Sequence, residues 1–362
     1  MALVVVSFDG VSDRVFEAMA ADPVSYPNIA KFKAEAHYRG GMRTVFVSNT
    51  YPIHASIATG KLPCVHGVVS NHVVENGRTR WAQLADYIQA ETIWDAAYRR
   101  GLTVASVLWP ITCGAKQIRW NLPEVHLHGF ENQLVENLRH GSPGFQLRAL
   151  LRHGGKLLSG IPQPGIDTFS TAATCDLLRR HRPDLTLLHL IAYDAISHRV
   201  GSQSEKLDRA RRALDKNLGK LLVAAGDAAV LVFSDHAHLD VREAVNLAPL
   251  YGDALLEQCS GSAFFRQAIP DLHRRPWFGR FLTAQELETS GFAARGAIFG
   301  IAAKPGYTFR SKRPRSDHGY PANYENYQVF YALRNEHAPP EPVFGDVRDI
   351  TAIICRELGI TL

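Results

Sequence analysis

No apolar run in this 362-residue sequence approaches the ~18 residues that a membrane-spanning helix needs. The chain opens MALVVVSFDG, straight into a strand pattern, with no basic leader, long apolar stretch or small-residue cleavage site ahead of it. The expectation is a soluble, cytoplasmic protein with no membrane partner. Cysteine is scarce: residues 64, 113, 175, 259 and 355 are odd in number and include no C-x-x-C pair, which argues for reduced thiols rather than a disulfide framework. Charge of one sign is not concentrated either. The net charge is +5, and the densest basic stretches, RRHRPD at 179–184 and RSKRPR at 310–315, are short and lack interleaved aromatics. Such stretches fit a solvated face, so no nucleic-acid polymer is expected as a partner. Low-complexity tracts are missing too, and 46% apolar content is ample for a core.

What is present is a rhythm of buried-strand patterns and helices. Apolar runs recur at 3–8, 103–109, 185–192 and 228–234, with helix-like stretches at 82–100 and 204–224 between them. This alternation predicts an α/β fold with a mostly parallel central sheet and helices on both faces. Two regions break the rhythm. Residues 120–166, rich in Gly, His, Arg and Pro, predict an irregular insertion with amphipathic pieces around 131–152. Residues 240–316 carry short alternating segments and predict a smaller inserted cap lobe beside the site. The expected catalytic core is therefore 1–239 with 317–362.

Acidic and histidine residues follow those strands. Asp9 ends LVVVSFDG, Asp194 and His198 lie in LLHLIAYDAISH, Asp235 and His236 end AVLVFSDH, and His318 lies in SDHGY. Open α/β sheets bind ligands beyond the carboxyl ends of their strands. Imidazole and carboxylate together suit zinc, and two such ions ~3.5–4 Å apart can activate a nucleophile, neutralise phosphoryl charge and stabilise a leaving oxygen. Asp194 and His198, spaced i,i+4, share one side of a helical turn that His318 would complete. Asp235 and His236 splay at a strand end, where Asp9 would join them. The nucleophile is expected in the loop 48–71, at Thr50, whose hydroxyl would sit at a helix N-terminus beside free N–H groups.

Thr50-Tyr51-Pro52, His54, Thr59-Gly60, Pro63, His66-Gly67 and Asn71 resemble the nucleophile loop T-[FY]-P-x-H-x-x-x-x-T-G-x-x-P-x-x-H-G-x-x-x-N of the alkaline phosphatase superfamily. The resemblance is specifically to its nucleotide pyrophosphatase/phosphodiesterase branch. Ile93-Trp94, Trp109-Pro110, Asp194 with His198, Ser234-Asp235-His236 and His318-Gly319-Tyr320 extend it, so that it covers about 3–120, 185–238 and 317–331. The resemblance implies an alkaline-phosphatase-like fold and a phosphoric diester hydrolase with two divalent metal ions, zinc in the family. It implies that Thr50 is the nucleophile, forming a phospho- or nucleotidyl-threonine. Asp9, Asp235, His236 and the Thr50 hydroxyl would hold one ion, and Asp194, His198 and His318 the other. Asn71 would donate to a phosphoryl oxygen together with the backbone N–H of Thr50 or its neighbour. Tyr51 and Trp109 would line or support a nucleobase or leaving-group slot. The implied partner is a small-molecule phosphoester, nucleotide-like or another diester.

The chain departs from the pattern in three places. S-D-H-G becomes Ser234-Asp235-His236-Ala237 followed by His238, W-P-G-S becomes Trp109-Pro110-Ile111-Thr112, and the methionine usual after H-G-Y is missing from NYENYQVF. These changes bear on substrate more than on hydrolysis. A phosphonate hydrolase, a phosphomonoesterase and a metal-binding module without turnover are the alternatives. His54 and His66 read as hydrogen-bonded loop formers, and His238 as an ordinary polar loop residue, with a spare donor at the edge of the site as the alternative.

Overall fold

The computed structural model describes residues 2–75, 77–127, 131–159 and 164–362. The strands that organise it are β1 (Leu3–Phe8), β2 (His37–Met42), β3 (Val104–Val107), β4 (Trp120–Leu122), β5 (Leu185–Leu190), β6 (Ala229–Phe233), β7 (Leu255–Cys259), β8 (Ser262–Phe265), β9 (Phe278–Phe281), β10 (Phe299–Ala303) and β11 (Val329–Arg334). Seven of them form one sheet in the order β2-β11-β6-β1-β5-β3-β4. Strands β6, β1, β5, β3 and β4 run parallel, and β11 runs antiparallel to both of its neighbours.

The unbroken apolar runs follow from burial on both faces. Along β1, Val4, Val6 and Phe8 enter one core cluster, while Leu3 and Val5 enter the other. Strand β6 divides the same way, with Val230 and Val232 on the first face and Leu231 and Phe233 on the second. The first face is covered by helices Gly165–His181 and Asp208–Ala225, through residues such as Phe169, Leu214 and Leu218. The second is covered by Thr50–Thr59, Ile93–Arg99 and Asp349–Leu358, through Ile53, Ile57, Trp94, Ile350 and Ile354. Each fully buried large side chain contributes roughly 1.5–3 kcal/mol relative to exposure.

Some sequence boundaries shift. The helix expected over 82–100 occupies only Ile93–Arg99, because Thr92 and Asp95 form a reciprocal capping box that starts it there. The strand expected over 103–109 stops at Val107, since Leu108 takes a left-handed φ of 55°. Within 120–166 the described residues include helices Gln133–His140 and Pro143–His153. No helix among the described residues is long and apolar enough to cross a membrane.

Within 240–316, β7-β8-β10-β9 make a four-stranded antiparallel sheet. One face gathers Phe265, Ile301, Trp277 and Tyr320. The other packs Phe264 and Phe292 onto Phe46, Val47 and Val69, on either side of the Thr50 helix in sequence. This small sheet therefore braces the segments on either side of the Thr50 helix.

Candidate active site

Strands β6, β1 and β5 are consecutive neighbours, so the residues just past their carboxyl ends converge. Asp9 follows β1, Asp235 and His236 follow β6, and Asp194 lies in the first turn of helix Ala192–Val200, just after β5. Asp9 Oδ1 is 3.3 Å and Asp235 Oδ2 3.5 Å from His236 Nε2. On the other side, Asp194 Oδ1 is 3.5 Å from His198 Nε2 and 4.0 Å from His318 Nε2. The rings of His236 and His318 stack at 4.1 Å and join the two groups. Both expected triads, Asp9-Asp235-His236 and Asp194-His198-His318, bring their ligand atoms within 4.8 Å of one another.

Thr50 adjoins the first group, and its neighbour Asn49 the second. Thr50 is the first residue of helix Thr50–Thr59, with Asn49 at the N-cap, and its Oγ1 is 3.2 Å from His236 Nε2. Asn49 does not cap the helix with its side chain; its Oδ1 pairs with His318 Nδ1 at 3.0 Å. Asn71 Oδ1 accepts the Tyr51 N–H at 3.0 Å, which turns its NH2 end into the available donor. Of the two backbone donors expected here, Tyr51 N–H is thus engaged. The Tyr51 side chain is buried beside Trp81, and its hydroxyl donates to Glu124 at 3.1 Å. A cavity of about 450 Å³ lined by Leu122, Val125, His126, Phe169 and Ile191 begins at Glu124. Trp109 is fully buried and meets His54 edge-on at 4.9 Å, so it forms a floor beneath the site and no part of an open slot wall.

The electrostatics suit a cation. Burial, followed by repulsion from Asp194 and Asp235, pushes the Asp9 carboxyl well above its ordinary range. Burial also pushes Asp194 up, but the imidazoles of His198 and His238 outweigh it and hold that carboxyl well below its usual range. Burial lowers His236 and lowers His318 further, which favours the neutral form of both rings. Asp9 Oδ1 and Asp235 Oδ2 are buried oxygens without a hydrogen-bond partner. Orphaned buried carboxylate oxygens facing neutral imidazole nitrogens fit divalent metal ions.

Two residues escaped sequence reading, and a third was placed at the site only as an alternative. His189, inside the apolar run of β5, sets Nε2 3.2 Å from Asp9 Oδ2 and Nδ1 3.2 Å from the Leu108 carbonyl. A histidine in an otherwise apolar buried strand was its signal. Glu124, which holds Tyr51, carried no signal. His238 is buried, and its Nε2 stands 2.7 Å from Asp194 Oδ1; it is not the polar loop residue expected. Ala237 is fully buried and keeps a negative φ, so the usual glycine's special conformation is not used here.

His54 and His66 form loop bonds as expected. His54 Nδ1 donates to the Thr50 carbonyl at 2.8 Å. His66 Nδ1 accepts the Val68 N–H at 3.2 Å, so its Nε2–H donates to Ser56 Oγ at 2.9 Å. Burial lowers the His66 pKa to about 3, below the roughly 6.5 of an unfolded chain. The unfolded state therefore binds the extra proton between those values. Stability from His66 is complete above pH ~6.5 and falls as the pH drops toward 3, by up to about 1.4 kcal/mol per unit. Urea unfolding of metal-free protein at pH 7 and 5 should show this loss, and His66→Gln should reduce it by up to one proton's share, the remainder coming from the other buried histidines; an equal slope in the variant would refute the assignment.

A model of the type I phosphodiesterase / nucleotide pyrophosphatase family matches residues 3–341. Venom phosphodiesterase 2 of Crotalus adamanteus is 25% identical over 203 residues, 54% of this chain and 21% of that protein. Ectonucleotide pyrophosphatase/phosphodiesterase family member 1 of Homo sapiens is 24% identical over 203 residues, 54% of this chain and 19% of that protein. The chain thus spans about a fifth of the length of these curated relatives. Among solved structures, murine ectonucleotide pyrophosphatase/phosphodiesterase 5, in an inactive threonine-to-alanine form with AMP, superimposes with a TM-score of 0.70 at 17% identity, covering 100% of this chain and 96% of that one. Phosphonoacetate hydrolase of Sinorhizobium meliloti 1021 with phosphonoformate gives 0.71 at 17% identity, covering 99% and 96%.

Proposed function

The chain belongs to the type I phosphodiesterase / nucleotide pyrophosphatase family, and from that premise we propose that it hydrolyses a small phosphoric diester with Thr50 as nucleophile. The observation that carries the proposal is the position of Thr50 Oγ1, at a helix N-terminus and 3.2 Å from His236, in the group where Asp9 and Asp235 carry orphaned carboxylate oxygens. Asp9, Asp235 and His236 would hold one zinc-type ion, and Asp194, His198 and His318 the other. Such ions, when bound, lower the pKa of a hydroxyl and neutralise phosphoryl oxygens.

The chain's own residues do the rest. Thr50 Oγ attacks phosphorus, the bond to the leaving alkoxide breaks, and a threonyl phosphodiester forms. Water then cleaves that ester, releasing the monoester and restoring the hydroxyl. The His54 bond to the Thr50 carbonyl fixes the first helical turn, so the hydroxyl is aimed before substrate arrives. The Asn71 NH2 group donates to a phosphoryl oxygen as negative charge grows there. Tyr51, tied to Glu124, backs the pocket for the leaving group or nucleoside. One structural neighbour was solved with AMP and another with phosphonoformate, which supports a small phosphoryl compound as substrate.

Zinc-loaded protein should cleave bis(p-nitrophenyl) phosphate in strong preference to p-nitrophenyl phosphate. A monoester preference would keep the nucleophile and overturn the diester assignment. Silence on both, with metal bound, would favour a phosphonate substrate or a binding role.

A further inference from the structure

We propose that His238 is a fourth protein donor to the cation at Asp194, which makes that position a site of one carboxylate and three imidazoles. This rests on the metal-dependent reading above. Three histidines around Asp194 share one pattern: each anchors Nδ1 outward and turns Nε2 toward the carboxylate. His198 Nδ1 lies 2.7 Å from the Ser316 carbonyl, and His318 Nδ1 lies 3.0 Å from Asn49 Oδ1. His238 Nδ1 lies 3.0 Å from Ser316 Oγ. The Ser316 hydroxyl has a single proton, and that proton goes to the Ser197 carbonyl at 2.7 Å, because a carbonyl only accepts. Ser316 therefore meets His238 with a lone pair, and His238 Nδ1 must carry the proton. Anchoring one ring nitrogen this way is how metal-bound histidines are oriented, with the other nitrogen left as donor.

The three Nε2 atoms stand 2.7 Å (His238), 3.5 Å (His198) and 4.0 Å (His318) from Asp194 Oδ1. Asp194, His236 and His238 also form a group whose ligand atoms all fall within 4.8 Å. With its one proton on Nδ1, neutral His238 presents an Nε2 lone pair to the Asp194 carboxylate, an opposition that a shared cation relieves when bound, as a second ring proton would in the metal-free protein. Gly10 makes the approach possible: a Cβ there would stand 2.7 Å from His238 Nε2 and 3.2 Å from Asp194 Cβ. A fourth protein donor would hold this cation more tightly than three, and a zinc-type ion can still expand its shell to five to meet a phosphoryl oxygen. The imidazole-rich set favours zinc, cobalt or nickel over magnesium or manganese.

The competing account is that His238 only donates a hydrogen bond to Asp194 from a protonated Nε2. Titration of metal-depleted protein with Co2+, followed by visible ligand-field absorption and chelator competition, separates the two. Wild type should take up two equivalents. In both His238→Ala and His238→Gln, one equivalent should bind as before, and the other should weaken by about 10–100-fold with an altered spectrum. Circular dichroism would check that both variants are folded. Unchanged titrations in both variants would overturn the proposal. So would a normal His238→Gln beside a weakened His238→Ala, since glutamine keeps the hydrogen bond. If the wild type bound no Co2+ at all, the metal-dependent reading would fail first and carry this inference with it.

Discussion

Replacing Thr50 by alanine is expected to lower turnover of a phosphoric diester by at least about 10³-fold while leaving metal content unchanged. The Thr50 side chain makes one polar contact in the site, from Oγ1 to His236 Nε2, and six carboxylate and imidazole groups remain when it goes. Alanine suits the first turn of a helix, and the His54 bond to residue 50 uses the carbonyl, so the loop should keep its shape. Thr50→Ser restores a hydroxyl at the same place and should recover most of the activity. Steady-state rates and metal analysis on the three proteins decide the matter. Near-normal turnover in Thr50→Ala would remove Thr50 as nucleophile, and metal loss would mean that it acts chiefly as a ligand.

Asp235→Asn is expected to cost both metal and activity, yet to stabilise the metal-free protein. Asparagine keeps Oδ1 to accept the Gly10 N–H at 3.2 Å and the His236 N–H at 2.9 Å. What changes is Oδ2, an orphaned buried oxygen whose charge helps push Asp9 up. Removing that charge should raise the metal-free unfolding free energy by roughly 1–3 kcal/mol, because an uncompensated buried charge is costly. Excess zinc should reverse the order, since a ligand at about 1,000 times its Kd adds ~4 kcal/mol to whichever protein binds it. Thermal unfolding of both proteins with chelator and with zinc tests this directly. A metal-free variant less stable than metal-free wild type would show that the carboxylates are not in conflict.

The sheet's centre was legible because β1, β5 and β6 are buried on both faces and so are spelled by unbroken apolar runs. Its edge was not. The sequence of β2, HYRGGM, is polar and glycine-rich, and its pairing with β11 depends on a strand nearly 300 residues away. That the six residues expected as metal ligands come together was legible for a related reason, since each follows a strand or a compact motif. His238 shows the limit of that method. Its importance comes from Asp194 and Ser316, which lie 44 and 78 residues away, and no local spacing announces either contact. Trp109 was misjudged in the opposite sense: its motif placed it near the site, and only packing reveals that His54 lies over it.

The small antiparallel sheet touches the ligand set through its backbone. The Gly261 amide, at the turn between β7 and β8, bonds to the His318 carbonyl at 3.0 Å, and the next amide, Gly319 N–H, bonds to the Ser48 carbonyl at 3.1 Å. His318 is thus strung between this lobe and the segment entering the Thr50 helix. For anyone exchanging parts between relatives, residues 255–265 and 316–320 form one cassette. A graft that transplants the lobe without its matching His318 segment would cut the backbone bond that holds His318 and displace that ring from Asp194 in the same step.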